Sequence, residues 1–334
     1  MISSPTMEPT GKKSLVCRVC HNGADNRPLR LREMMFGTRD EFDYLECASC
    51  GCVQIVDIPA SMSKYYPATY HSFAPVSRQN KLRRLLTRIR NAYAISRRGI
   101  VGRVLSRFFP PDTALRSLSE IKLDRGLRIL DVGCGAGMLL NALNGLGFRN
   151  LLGVDPFLPA DVEYANGLKL LKRSIHQVEG QFDLIMFHHA FEHIPDPDST
   201  LDAVRELLAP GGTCIIRIPT VSSYAWRHYG INWVQLDAPR HFYVHSVRSM
   251  KILADRAGLE VSNVVCDSSA FQFWASEQYA MDIPLFDIRS FAVTPTESIF
   301  TKAQIAAFEN RALDLNREEQ GDQAVFYLRK RSVA

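Results

Sequence analysis

Two groups of residues in this chain of 334 residues have types and spacings suited to chemistry. The first is a set of thiols. Cys17 and Cys20 form one Cys-x-x-Cys pair and Cys47 and Cys50 a second, with 26 residues between the pairs and Cys52 and His21 close by. Four thiolates so paired meet the demand of zinc, which takes four soft ligands as a tetrahedron in a closed structural site. With every ligand position filled by protein, no place remains for water or substrate. The spacing therefore predicts a structural Zn2+ ribbon that folds a small domain and does no chemistry. A redox role for one pair lacks the surrounding strand-helix-strand pattern. Cys134, Cys214 and Cys266 lie in apolar segments and read as small core residues.

The second group opens in LRILDVGCGAGMLL, residues 127 to 140, where Asp131 ends an apolar run and Gly133, Gly135 and Gly137 follow on alternate positions. A dinucleotide fingerprint needs glycines at its first, third and sixth positions, and the sixth here is Met138. A carboxylate beside the turn repels a pyrophosphate and attracts a cation. Eighteen residues beyond Gly137 stands Asp155, at the end of the next strand, where an acid can accept both hydroxyls of an adenosine ribose. An amino group, a sulfonium and a ribose together describe S-adenosylmethionine.

The elements that must position these residues are legible as alternating strand, turn and helix from Leu127 onward. LRIL runs into the glycine loop, and MLLNALNGLG is a helix ending at Gly147. NLLGVD, a segment near 168 to 175, FDLIMF (182 to 187) and TCIIRIP (213 to 219) supply the next strands. DSTLDAVRELL is a helix starting at Asp198 and stopped by APGG. Ligands of such sheets bind at the carboxyl ends of the strands. The composition, 46% hydrophobic and 22% charged, is that of a globular chain able to bury a core. The first dozen residues lack a secretory apolar stretch, and no run of about 18 apolar residues suits a bilayer span, so the expected location is cytoplasmic.

Ahead of the sheet, KYYPATYHSF (64 to 73) is aromatic, and residues 78–107 carry ten Arg or Lys and no acid. Since the whole chain has a net charge of only +5, the remainder is net acidic. Leu82, Leu85, Leu86 and Ile89 fall at helical spacing, as do Val101, Val104, Leu105 and Phe108. The segment reads as a basic amphipathic pair of helices or one broken helix. It serves either as a connector with solvated charges or as a surface for anionic lipid, for a nucleotide-linked or lipid-linked substrate, or for nucleic acid.

The segment from about 127 to 266 resembles class I S-adenosylmethionine-dependent methyltransferases, on LDVGCGAG, GVDP, FDLIMFHHAFEHIPDP and LLAPGGTCIIRIP in that order. The resemblance implies an α/β fold with a Rossmann-like seven-stranded sheet. It also implies that Gly133, Gly135 and Gly137 admit the methionyl part, that Asp131 lies near its amino group and that Asp155 holds the ribose. The adenine contact carries over to Ser174 and Ile175, and His188 packs beside the cofactor together with His189. The ribbon, LECASCGCVQ, KYYPATY and WVQLDAPRHFYVHS (233 to 246) are similar to bacterial sugar and polysaccharide-cluster methyltransferases with an N-terminal zinc-binding domain. The domain reading is a flexible N-terminus over 1–16, a zinc ribbon over 17–60, a connector over 61–115 and the methyltransferase domain over 116–334. Within the last, 267–320 is an insertion before a final strand, QAVFYLRK (323 to 330).

Methyl transfer to a sugar hydroxyl needs the nucleophile aligned about 3 to 3.5 Å from the methyl and its proton removed. His193 is the first candidate base, with Glu192 orienting it or binding a neighbouring hydroxyl. His241 is the second candidate and an alternative substrate ligand. The Glu-His pair also resembles quinone O-methyltransferases, in which acids and a His at this corner hold a divalent ion; here His189 stands three residues before Glu192. The expected acceptor is a small molecule or glycan. A quinone-type acceptor, RNA bound through the ribbon and basic helices, and a noncatalytic binding protein are the alternatives. Tyr224, Trp226 and Trp233 suit either stacking on an acceptor or packing a lid.

Overall fold

The computed structural model describes residues 15–67 and 80–331. Residues 1–14, the latter part of the aromatic run (68–73) and the first two residues of the basic segment lie outside the described residues, and with them most of the expected flexible N-terminus. The ribbon begins the fold as an antiparallel meander of β1 (Arg27–Arg32), β2 (Glu41–Glu46) and β3 (Val53–Ile55). The basic segment then forms two helices, α1 (Lys81–Ser96) and α2 (Ile100–Phe108). Asn80 caps α1 by accepting from the Arg83 amide, and Arg97 ends it in the left-handed region. A Cβ at Gly102 would meet the Tyr93 Cβ at 2.5 Å, so this glycine is what lets α2 lie against α1.

After α3 (Thr113–Ser117) the α/β layer follows as β4 (Ile129–Val132), α4 (Met138–Leu146), β5 (Leu151–Val154), β6 (Val162–Glu163), β7 (Lys169–Leu171) and β8 (Phe182–His188). It continues as α5 (Pro197–Leu207), β9 (Leu208–Pro219), α6 (Tyr224–Tyr229), β10 (Tyr243–Val244), α7 (Val247–Arg256) and β11 (Leu259–Cys266). The chain closes with α8 (Phe271–Ala280), α9 (Lys302–Arg317) and β12 (Gln323–Lys330). Residues 267–320 thus hold α8 and α9 before the expected last strand.

The large sheet runs β11-β12-β9-β8-β4-β5-β7-β6. Strands β9, β8, β4, β5 and β7 are parallel, and β12 inserts antiparallel between β9 and β11. The expected seven strands are present, and the two-residue β6 adds an antiparallel edge beyond them. Side chains alternate across the sheet. Leu130, Val132, Ile185 and Phe187 enter one core, while Ile129, Leu184 and Met186 enter the other with α4. Each such fully buried side chain stabilises by about 1.5–3 kcal/mol.

The ribbon shares the first of these cores: Cys17, Tyr44 and Val53 belong to the same apolar cluster as Leu130 and Trp233. Its sheet is completed by β10, paired antiparallel with β3 at Tyr243↔Gln54 and Val244↔Val53. Two local expectations need correction. The cap of α5 is Asp196, whose carboxylate accepts from the Ser199 amide at 3.1 Å, and Asp198 sits inside the first turn. APGG does not stop that helix in a loop but opens β9, because Leu208 already pairs with Phe182 across a bulge.

Candidate active site

The glycine loop folds over the carboxyl end of β5. The Gly133 amide donates to Val154 O at 2.8 Å, and the Gly135 amide donates to Asp155 Oδ2 at 3.0 Å. The other Asp155 oxygen accepts from the Phe157 amide at 2.9 Å. Gly133 has φ of 73°, and a Cβ there would meet the Ala190 Cβ at 2.5 Å; Gly137, with φ of 70°, begins α4 against Leu170. Asp131 lies buried at the end of β4. Burial, with the neighbouring Asp155 carboxylate, pushes its pKa up to about 8. A cation placed beside it would restore the ionised form.

Ser174 and Ile175 follow β7 at the same edge of the sheet. The Ser174 amide donates to Gln177 Oε1 at 3.0 Å, forming a short 3-10 turn in which Ile175 is buried. His188 ends β8, and among the described residues both of its buried ring nitrogens lack a hydrogen-bond partner. Burial pushes its pKa down to about 3.

Beyond β8 the chain turns sharply at His189, which takes φ of 52°, and a 3-10 turn over Phe191–His193 delivers Glu192 and His193. Glu192 is fully buried. His189 Nδ1 stands 3.3 Å from its Oε1 and His241 Nε2 stands 3.9 Å from the same oxygen. Burial pushes the Glu192 pKa up, but the His189, His193 and His241 rings outweigh it and bring it down to about 2. The His193 and His241 rings meet edge to face with centroids 4.8 Å apart.

Each of those two rings is fixed by a backbone carbonyl. His193 Nδ1 is 2.7 Å from Arg240 O, and His241 Nδ1 is 2.8 Å from Gln235 O. A carbonyl oxygen only accepts, so Nδ1 carries the proton in both rings and Nε2 of the neutral ring keeps its lone pair. Burial pushes His241 down to about 4 against the opposing pull of Asp237, leaving it neutral at physiological pH. One ligand atom from each of Glu192, His193 and His241 lies within 4.8 Å of the others.

Several residues of this site carry no local signature. Arg217 on β9 donates to His189 Nε2 at 2.6 Å and is itself paired with Asp267 Oδ2 at 2.6 Å. Arg240, fully buried, binds Asp237 Oδ1 at 2.6 Å and Glu33 Oε1 at 2.9 Å. Glu33 belongs to the ribbon loop between β1 and β2, where its oxygens also accept from the Phe36 and Thr38 amides. The ribbon reaches the site by two further routes. Tyr44 Oη donates to His241 O at 2.9 Å, and Phe242, whose O accepts from the Ile55 amide, donates its own amide to Glu192 O at 2.8 Å. Only the folded chain brings these residues together.

The four expected metal thiols do converge. Sγ atoms of Cys17 and Cys50 are 3.7 Å apart and those of Cys20 and Cys47 are 3.4 Å apart, with all four within 4.8 Å of one another. A tetrahedral zinc with bonds of about 2.3 Å sets sulfurs about 3.8 Å apart, so the cluster fits that ion. Cys52 and His21 stay outside it. Cys52 is buried beside His245, and His21 lies against Arg256. The stacking option for two tryptophans is overturned: Trp226 Nε1 donates to Glu46 Oε1, and Trp233, fully buried, donates to Asp322 Oδ2 at 3.0 Å. Both join the ribbon and sheet to the helices. Tyr224 is half-buried and stacks on His228.

A family model described as a methyltransferase domain matches residues 93–264. Among curated proteins, the ubiquinone biosynthesis O-methyltransferase of Bordetella avium (strain 197N) is 31% identical over 160 residues, covering 42% of this chain and 65% of that protein. The protein of the same name from Psychrobacter arcticus is 30% identical over 161 residues, covering 42% and 62%. The chain thus spans a little under two thirds of the length of these relatives. Among solved structures, the cyclopropane synthase MmaA2 from Mycobacterium tuberculosis aligns with 64% of this chain and 81% of its own, at 15% identity and a TM-score of 0.40. An S-adenosylmethionine dependent methyltransferase from Mesorhizobium loti covers 62% and 93%, at 18% identity and a TM-score of 0.38.

Proposed function

Because this chain belongs to the methyltransferase domain family, we propose that it is an S-adenosylmethionine-dependent methyltransferase that methylates a hydroxyl of a small-molecule or glycan acceptor, a sugar hydroxyl first. The observation that carries this reading is the His193 ring, pinned at Nδ1 by Arg240 O so that Nε2 is the proton acceptor, beside the buried anionic Glu192. An unactivated hydroxyl needs such a base.

Bound S-adenosylmethionine supplies a methyl on a positively charged sulfur, open to in-line displacement. The chain's own residues bind, orient and take up the proton. Asp131 faces the cofactor's amino group, and its raised pKa in a buried place supports a cationic partner. Gly133, Gly135 and Gly137 keep side chains out of the methionyl path. Each Asp155 oxygen already accepts one backbone amide and retains a lone pair for a ribose hydroxyl. Ser174 and Ile175 would contact the adenine and His188 would pack beside the cofactor. The acceptor's proton passes to His193 Nε2, and the Glu192 carboxylate stabilises the imidazolium so formed. A positioned base of this kind contributes on the order of 10² to 10⁴ in rate. His241 braces the His193 ring edge to face and is the second candidate for the proton. Cys17, Cys20, Cys47 and Cys50 would hold a structural zinc that ties the ribbon together.

A second reading, a phenolic hydroxyl of a quinone-type acceptor, is supported by the names of the curated relatives and by the spacing of Glu192, His193 and His241. That trio would hold a divalent cation, whose chemistry is to lower the pKa of a bound hydroxyl. The deciding experiment incubates the purified protein with methyl-labelled S-adenosylmethionine and host extract and follows the label by fraction. Label among acid-soluble small molecules or glycans supports the first reading. Label in the organic phase that chelators abolish supports the second, and label in nucleic acid or protein overturns both.

A further inference from the structure

The hairpin of α1 and α2 presents apolar side chains to solvent inside a basic field. Ile100, Val101, Val104 and Phe108 fall within about a 100° arc of α2. Ile100 is 82% exposed and Phe108 71%. Leu82, at 67%, opens a similar exposed run on α1 with Leu85 and Leu86. The buried side of the hairpin is already used, since Gly102 seats α2 on Tyr93 while Asn91 and Ala94 of α1 are buried. Residues 80–108 hold nine Lys or Arg and no acid. Among the described residues, the guanidinium groups of Arg83, Arg84, Arg88, Arg98, Arg103 and Arg107 have no carboxylate partner.

Three occupants compete for such a face. A second copy of the chain in a two-fold pair would set this basic field against itself. RNA would take the arginines but gain little from exposed Ile, Val and Leu, which cannot stack on bases. A bilayer with anionic headgroups satisfies both halves, with arginines among the phosphates and the apolar stripe just below them. We propose that the α1–α2 hairpin docks this protein on an anionic lipid surface, with Ile100, Val104 and Phe108 entering the headgroup boundary. Among the described residues no helix is long and apolar enough to cross a membrane, so the contact is peripheral. This inference does not depend on which hydroxyl is methylated.

The test is cosedimentation of the full chain with vesicles of phosphatidylcholine alone or mixed with phosphatidylglycerol, at low and high salt. Two variants accompany it, Ile100→Ser/Phe108→Ser and Arg83→Ser/Arg84→Ser/Arg103→Ser, each checked for unchanged cofactor binding as a measure of folding. Binding is expected to the phosphatidylglycerol vesicles only and to weaken with salt. It should fall more than tenfold in the apolar variant and on the order of a hundredfold in the arginine variant, at about fivefold per residue. Equal binding to neutral vesicles, binding to none, or binding kept by both variants overturns the proposal. So does retention by RNA, or a light-scattering dimer broken by the apolar variant, in the absence of vesicle binding.

Discussion

A carboxyl that is buried and beside a second acid is a liability unless something cationic comes to it, and Asp131 is such a group. Its pKa in the folded chain, about 8, lies above the ordinary 3.8. The native chain therefore holds a proton that the unfolded chain has lost, and this contribution to stability drains away as pH rises from about 4 to about 8. Asp131→Asn removes the charge. Thermal melts of the cofactor-free protein should show the variant gaining on the parent across that window, by roughly 2–4 °C for each kcal/mol recovered. Calorimetry should show its S-adenosylmethionine affinity falling on the order of 30-fold or more. A variant that binds the cofactor as tightly as the parent would remove Asp131 from the site. For the proton acceptor, His193→Ala should lower kcat by about 10² to 10⁴ with cofactor affinity unchanged, and His241→Ala should cost less; the reverse order would make His241 the base. Asp131, Asp155 and the Glu-His pair were legible because each lies beside its own strand end, so local spacing reports their place. Arg217 and Asp267 were not, since what defines them is a partner on another element.

At the scale of elements, the glycine loop is shaped as much by its neighbours as by a ligand. Gly133→Ala imposes two separable penalties: a left-handed φ of 73°, costing about 1–2 kcal/mol, and a Cβ 2.5 Å from that of Ala190. The substitution should lower Tm and cofactor affinity together. Adding Ala190→Gly should return part of the Tm by clearing the contact while leaving the backbone penalty, and a double variant no more stable than the single one would locate the strain elsewhere. Strand positions were readable because the central strands are short apolar runs between turns, as in β4 and β8. The start of α5 was misread because two aspartates two residues apart both look like caps, and only Asp196 reaches the Ser199 amide. The early start of β9 was hidden in APGG, whose residues read as a turn until the pairing of Leu208 with Phe182 shows otherwise.

Across the whole molecule, the ribbon and the corner that holds Glu192, His193 and His241 are built as one. The two Cys-x-x-Cys pairs announced a metal site, but nothing in their spacing told that the ribbon's sheet would be finished by β10, two residues after His241. That junction places Glu33 against Arg240, whose carbonyl fixes His193, and Phe242 against Glu192. Glu33→Ala leaves the buried Arg240 guanidinium with Asp237 and the Tyr65 carbonyl and strips the Phe36 and Thr38 amides of their acceptor; it should cost about 1–3 kcal/mol for each buried group left unsatisfied, read as a drop in Tm. Removing a zinc held by Cys17, Cys20, Cys47 and Cys50, as proposed, should act further along the same path. Without its metal the ribbon loses the link between its two knuckles, β10 loses the strand it pairs with, and the anchors of His241 and Glu192 loosen together. The glycine loop and Asp155, held by β4 and β5, do not touch that path. Chelation of the zinc, checked by metal analysis, should therefore abolish methyl transfer into the labelled fraction while S-adenosylmethionine still binds within about threefold of its original affinity. If zinc-free protein transferred methyl groups at the full rate, the ribbon would be an appendage, and the hydrogen bond that Tyr44 donates to His241 O and the one that Glu33 accepts from Arg240 would have no part in shaping the site.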